Sequence, residues 1–155
     1  MKALILTGIE LSKKDKKILQ ETDIFKLALN HHAEPLNPTC RIISDYTNFE
    51  FTYNNYPEPL ISVRHHPKGN YLKLIKADIP FRGSTLVAGC EWLYKNGYTN
   101  ILIIGDNTVH NKDHQETVKQ GIKQILELYP DIKIHQFKNG NFELPQMDLK
   151  IFTHI

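Results

Sequence analysis

Residues 82–106 read RGSTLVAGCEWLYKNGYTNILIIGD, and this stretch decides the fold. Ser84 or Thr85 is placed to cap a helix, and Leu86, Val87, Cys90, Leu93 and Tyr94 then fall on one helical stripe. Gly97 follows where a left-handed helix stop is expected. Ile101-Leu102-Ile103-Ile104 lacks polar alternation, the pattern of a strand covered on both faces in a parallel sheet. Gly105-Asp106 ends that strand, and the strand end is expected to border a ligand site.

Outward from this unit, the same grammar repeats. Ala3 to Leu6 reads as a buried strand that turns at Thr7-Gly8 into a helix carrying Leu11, Ile18 and Leu19. Ile24 to Leu29 and Arg41 to Asp45 read as further strands, and Leu60 to Val63 as a short fourth. Tyr46 to Pro59 is an irregular or weakly helical crossover, while Leu72 to Ile79 fits an edge strand or a loop equally well. Asp113 and Glu116 have capping-box spacing ahead of the stripe Val118, Ile122, Ile125, Leu126 and Tyr129, which stops at Pro130. Ile132 to Phe137 is a strand, Asn139-Gly140 a turn, and the tail Ile151 to Ile155 reads as an edge strand. Strands alternating with helices predict an α/β, Rossmann-like domain, a mostly parallel sheet with helices on both faces. At 155 residues, without a linker or internal repeat, the chain is expected to form a single domain, residues 1–155.

Composition narrows the class. A formal net charge of +2, with Lys spread along the chain, argues against a nucleic-acid partner. The densest basic run, Lys13-Lys14-Asp15-Lys16-Lys17, reads as a solvated helix face. No apolar run is long enough for a signal peptide or a transmembrane segment. The two cysteines, Cys40 and Cys90, are apolar-flanked and outside any CxxC, which fits a reducing, cytoplasmic compartment.

Candidate strands end on Thr7-Gly8, Asn30-His31, Asp45, Arg64-His65 and Gly105-Asp106-Asn107, so a parallel sheet would gather these residues along one edge. Neither GxGxxG nor GxxxxGK[ST] is present. Two helix starts could receive an anion, the one after Gly8 and the one at Gly83-Ser84-Thr85 with Arg82 beside it; the second reading of Gly83-Ser84-Thr85 is capping alone. His114, beyond a core strand, suits a general base, against plain solvation of a lone histidine. Asp45 and Asp106 could hold a divalent ion with a nucleotide, orient a hydroxyl, or cap the next element. The pairs His31-His32 and His65-His66 cannot chelate one ion easily because neighbours on a strand face opposite ways, so no metal is expected. Without a GxSxG elbow, and with Cys90 on a core stripe, no nucleophilic triad is expected. Tyr46, Phe49, Phe51, Tyr53 and Tyr56 either pack the crossover or stack on a base or sugar.

The order Gly8 and Ser12, Asn30 after a strand, Arg82-Gly83-Ser84-Thr85, then Asn96-Gly97-Tyr98 through Gly105-Asp106 resembles the bacterial sialyltransferases of glycosyltransferase family 42. It is also similar to the related domains of motility accessory factors and archaeal pterin diphosphokinase-like proteins. The motif-level resemblance runs from Arg82 to about Leu126. It implies a CMP-sugar donor, CMP-sialic acid in the family, bound across the strand ends with no cofactor and no catalytic metal, and a glycan acceptor. By the same resemblance Gly8 and Ser12 lie at the nucleotide phosphate, Asn30 at the nucleotide, Ser84 and Thr85 near the donor, and His114 is the base that deprotonates the acceptor. Three readings follow: an inverting, sialyltransferase-like enzyme, a Mg-dependent pyrophosphokinase or nucleotidyltransferase relative using Asp45 and Asp106, and a non-catalytic nucleotide- or sugar-binding accessory protein. The third draws on the short stretch Asn107 to Lys112, where the family carries a long acceptor-binding lid. A homo-oligomer is left open.

Overall fold

The computed structural model describes residues 1–7, 10–29, 36–43, 59–62, 73–74, 84–105, 112–138 and 140–154. The strands are β1 (Lys2–Leu6), β2 (Phe25–Leu29), β3 (Cys40–Ile43), β4 (Leu60–Ser62), β5 (Lys73–Leu74), β6 (Asn100–Ile104) and β7 (Lys133–Gln136). The helices among the described residues are α1 (Lys13–Glu21), α2 (Thr85–Lys95), α3 (Lys112–Leu128) and α4 (Leu149–His154). All seven strands join one sheet in the order β5-β4-β3-β2-β1-β6-β7. Every neighbouring pair is parallel, so all strands end at the same edge.

The unbroken apolar runs explain this architecture. Ala3 to Leu6 and Ile101 to Ile104 are buried throughout, because successive side chains enter cores on opposite faces. Ala3, Ile5, Ile101 and Ile103 meet Leu86, Val87, Cys90 and Leu93 of α2 and Val118, Ile122 and Ile125 of α3. Leu4, Leu6, Leu102 and Ile104 meet Leu19 of α1 and Leu149 and Phe152 of α4. The chain is thus an α/β, Rossmann-like fold with helices on both faces of a parallel sheet. No described helix is long and apolar enough to cross a membrane.

Local chemistry sets the helix ends. Ser84 caps α2, its hydroxyl accepting from Val87 N at 3.3 Å. Gly97, at φ +92°, ends α2 in a Schellman motif: Tyr98 N donates to Leu93 O and Gly97 N to Tyr94 O, both at 3.0 Å. At the far end of α1, the buried Lys26 donates from Nζ to Leu19 O at 2.7 Å and to Thr22 O at 3.3 Å, satisfying carbonyls that the helix leaves open. Gly140 N donates to Phe137 O at 3.0 Å, which closes the turn expected at Asn139-Gly140, although Asn139 itself lies outside the described residues.

Two expectations are corrected. The tail is a helix and not an edge strand: Asp148 Oδ1 accepts from Ile151 N at 3.1 Å, and Leu149 and Phe152, three apart, are buried. The two side chains of the tail that enter the core are spaced for a helix. Asp113 is not a cap, because α3 already begins at Lys112; it lies in the first turn, where a carboxylate suits the helix dipole. Lys73–Leu74 pairs with β4 at the sheet edge; the rest of Leu72 to Ile79, like Tyr46 to Glu58, lies outside the described residues.

Candidate functional site

The strand order contains one reversal. From β1 the sheet grows outward through β5, then the chain returns to place β6 on the other side of β1. β1 leads into α1 on one face, whereas β6 leads into α3 on the other. At such a switch point the two connections diverge, and a crevice opens outside the strand ends.

The floor of that crevice is Thr7 against Gly105. Leu6 and Ile104 are in register, so the two strands end level. The Thr7 backbone N–H and the Thr7 hydroxyl both donate to Ile104 O, each at 3.0 Å. A Cβ added at Gly105 would overlap Thr7 Oγ1 and stand 2.7 Å from Thr7 Cβ and 2.8 Å from Cγ2. Gly105 has no positive φ, so the glycine is required by close approach and not by backbone conformation. The Thr7 side chain fills the space that a side chain at 105 would take.

Two helices start at this edge on the face of Thr7 and Gly105. Asn96 to Thr99 are the short link from the end of α2 to the start of β6, so α2 runs back across the sheet and begins near the strand ends. Its cap Ser84 is buried, as is Thr85, at the start of α2. The α3 helix runs in the same direction and touches α2 closely: a Cβ on Gly121 would lie 2.6 Å from Val87 Cγ2. Seven residues before Gly121, His114 shares its helix face and stands about 10 Å nearer the edge, while Ser84 stands only about 4.5 Å beyond Val87. The half-buried His114 thus lies in the first turn of α3, on the helix face that packs α2 at Gly121. Amides at the first turns of both helices carry partial positive charge toward this space, which favours an anion.

Ser12 lies at the same edge on the opposite face, exposed, capping α1 by accepting from Asp15 N at 3.2 Å. Lys138, just past β7, places Nζ 3.1 Å from Asp15 Oδ2 and offsets that carboxylate beside the α1 start. Of the residues singled out in the sequence, Ser12, Ser84, Thr85, Gly105 and His114 are thus gathered at one edge. Gly8, Asn30, Asp45, Arg82, Gly83, Asp106 and Asn107 lie outside the described residues. Thr7 was not among the candidate binding residues, because its contact with Gly105 arises only from β6 lying beside β1.

Cys90 is fully buried and its thiol is pushed up to about 12 by desolvation, so no thiolate is available there. His135 on β7 is held below the usual histidine range, chiefly by burial and further by the Lys133 charge. An open cleft of about 580 Å³ lies at the other edge of the sheet, lined by Ile18, Glu21, Thr22, Asp23, Ile24, Thr153 and His154. It sits at the end of α1 and the start of β2, away from the switch point, and gathers none of the candidate residues.

Compared with protein-family models, curated proteins and solved structures, the chain has no match.

Proposed function

We propose that the chain binds a nucleotide sugar across the β1–β6 switch point and acts as a sialyltransferase-like glycosyltransferase, with a CMP-sugar as donor and a glycan as acceptor. What supports the reading is that His114 lies in the first turn of α3, on the helix face that meets α2 through Gly121 and Val87, past the end of β6. A donor phosphate at the α2 N-terminus would meet the positive end of the helix dipole. An acceptor hydroxyl beside His114 would then attack the anomeric carbon from the face opposite the phosphate. The new C–O bond forms as the bond from that carbon to the phosphate oxygen breaks. CMP leaves with the electron pair, the anomeric centre inverts, and the hydroxyl proton passes to the neutral imidazole. In this reading Ser84 and Thr85, at the start of α2, stand nearest the donor, and Gly105 lets the Thr7 side chain close over the end of β6.

CMP release from CMP-sialic acid, followed across a panel of glycan acceptors with EDTA present, tests this directly. His114→Ala is expected to lower turnover by about 10²–10⁴-fold while leaving the Kd for CMP within threefold. Turnover that requires Mg²⁺ would favour the pyrophosphokinase or nucleotidyltransferase relative. Tight CMP binding with no release on any acceptor would favour the accessory protein.

A further inference from the structure

The hydrogen-bonding capacity of Thr7 decides which part of a ligand can rest on the crevice floor. A hydroxyl has one proton to donate and two lone pairs that accept. The Thr7 proton is spent on Ile104 O at 3.0 Å, and the Thr7 backbone N–H is spent on the same carbonyl. What Thr7, itself half-buried, still offers is acceptor capacity on Oγ1 at the level where β1 and β6 end. Oγ1 occupies the place that a side chain at Gly105 would take.

An acceptor floor repels a phosphate and suits a hydroxyl. Phosphate oxygens favour positive charge, and α2 and α3 turn the positive ends of their dipoles toward this edge. We propose that Thr7 is a ligand-binding residue that accepts a hydrogen bond from a sugar-ring hydroxyl of the nucleotide sugar, orienting the ligand with its sugar on the floor and its phosphate toward the starts of α2 and α3. This assignment rests on the nucleotide-sugar reading of the site. The hydroxyl can belong to the ribose or to the transferred sugar; the chemistry at Thr7 is the same for both.

Calorimetric titration of wild type, Thr7→Val and Thr7→Ser with CMP, 2′,3′-dideoxy-CMP and CMP-sialic acid separates the cases. Valine keeps the volume and removes the acceptor, whereas serine keeps the hydroxyl. Wild type is expected to prefer CMP over the dideoxy form by about tenfold, the worth of one good neutral hydrogen bond. Thr7→Val should abolish that preference without weakening the dideoxy form, and Thr7→Ser should retain it. A loss in Thr7→Val seen with CMP-sialic acid but not with CMP assigns the hydroxyl to the transferred sugar. Unchanged binding of both CMP and CMP-sialic acid in Thr7→Val overturns the proposal and leaves the nucleotide-sugar reading standing. Wild type that binds none of the three refutes that reading and this assignment with it. The dideoxy Kd also reports whether Thr7→Val is correctly folded.

Discussion

Replacing Gly105 by alanine tests the contact on which the geometry of the crevice depends. The added methyl would overlap Thr7 Oγ1 and stand 2.7 Å from Thr7 Cβ and 2.8 Å from Cγ2, where about 3.5–4.0 Å is the comfortable carbon–carbon separation. Relief therefore requires roughly 1 Å of separation between the ends of β1 and β6. That movement would stretch both hydrogen bonds onto Ile104 O, now 3.0 Å each. Overpacking of this kind costs about 1–3 kcal/mol, and each hydrogen bond weakened adds up to about 1 kcal/mol. The entropic benefit of replacing a glycine, about 0.4–1 kcal/mol, offsets part of this, leaving a net loss near 3 kcal/mol. For a chain of 155 residues that corresponds to a melting temperature lower by about 6–12 °C.

Urea unfolding followed by circular dichroism measures the loss. Thr7→Gly in the same background removes Oγ1, Cβ and Cγ2 together, so the double variant should regain stability relative to Gly105→Ala. Thr7→Gly alone should lose stability. The two substitutions should therefore couple by more than about 1.5 kcal/mol in a double-mutant cycle, as neighbours in contact do. A Gly105→Ala variant as stable as wild type within about 0.5 kcal/mol, or two substitutions that simply add, would refute the reasoning.

Three further outcomes follow from particular residues. Ser84→Ala should cost about 1 kcal/mol in urea unfolding, because the Val87 amide loses its cap; no change would mean that another group satisfies that amide. His135 has a folded-state pKa below its unfolded value near 6.5, so its contribution to stability is fully present above that pH and is lost as pH falls below it. Wild type should thus lose stability relative to His135→Leu between about pH 6.5 and pH 5, and parallel curves for the two proteins would contradict this. Cys90, buried with its thiol raised to about 12, should resist a thiol-labelling reagent in the native protein and react on unfolding; rapid native labelling at Cys90 would show that the α2 core is open.

The helix and strand at residues 82–106 were legible because each local signal agrees with the tertiary outcome. Ser84 caps, Gly97 takes the left-handed position, and Ile101 to Ile104 are covered on both faces. The tail reads differently in the structure because five residues, Ile151 to Ile155, are too short a run to tell a strand from a helix, and the buried pair Leu149 and Phe152 begins before it. The Thr7–Gly105 contact was not legible at all. Both residues mark strand ends in the sequence, but 98 positions separate them, and only the return of β6 to the side of β1 brings them together. His114 was legible as a polar residue past a core strand. The close approach of its helix to α2 follows from Gly121, whose missing side chain makes room for Val87.

The central claim, that ligand binds at the β1–β6 switch point, is tested most directly by hydrogen–deuterium exchange of the intact chain with and without CMP. The account predicts slowed exchange in peptides spanning the end of β1, the start of α2, and the end of β6 through the first turns of α3. Slowing confined to the end of α1, the start of β2 and α4, around the opposite cleft, would contradict it.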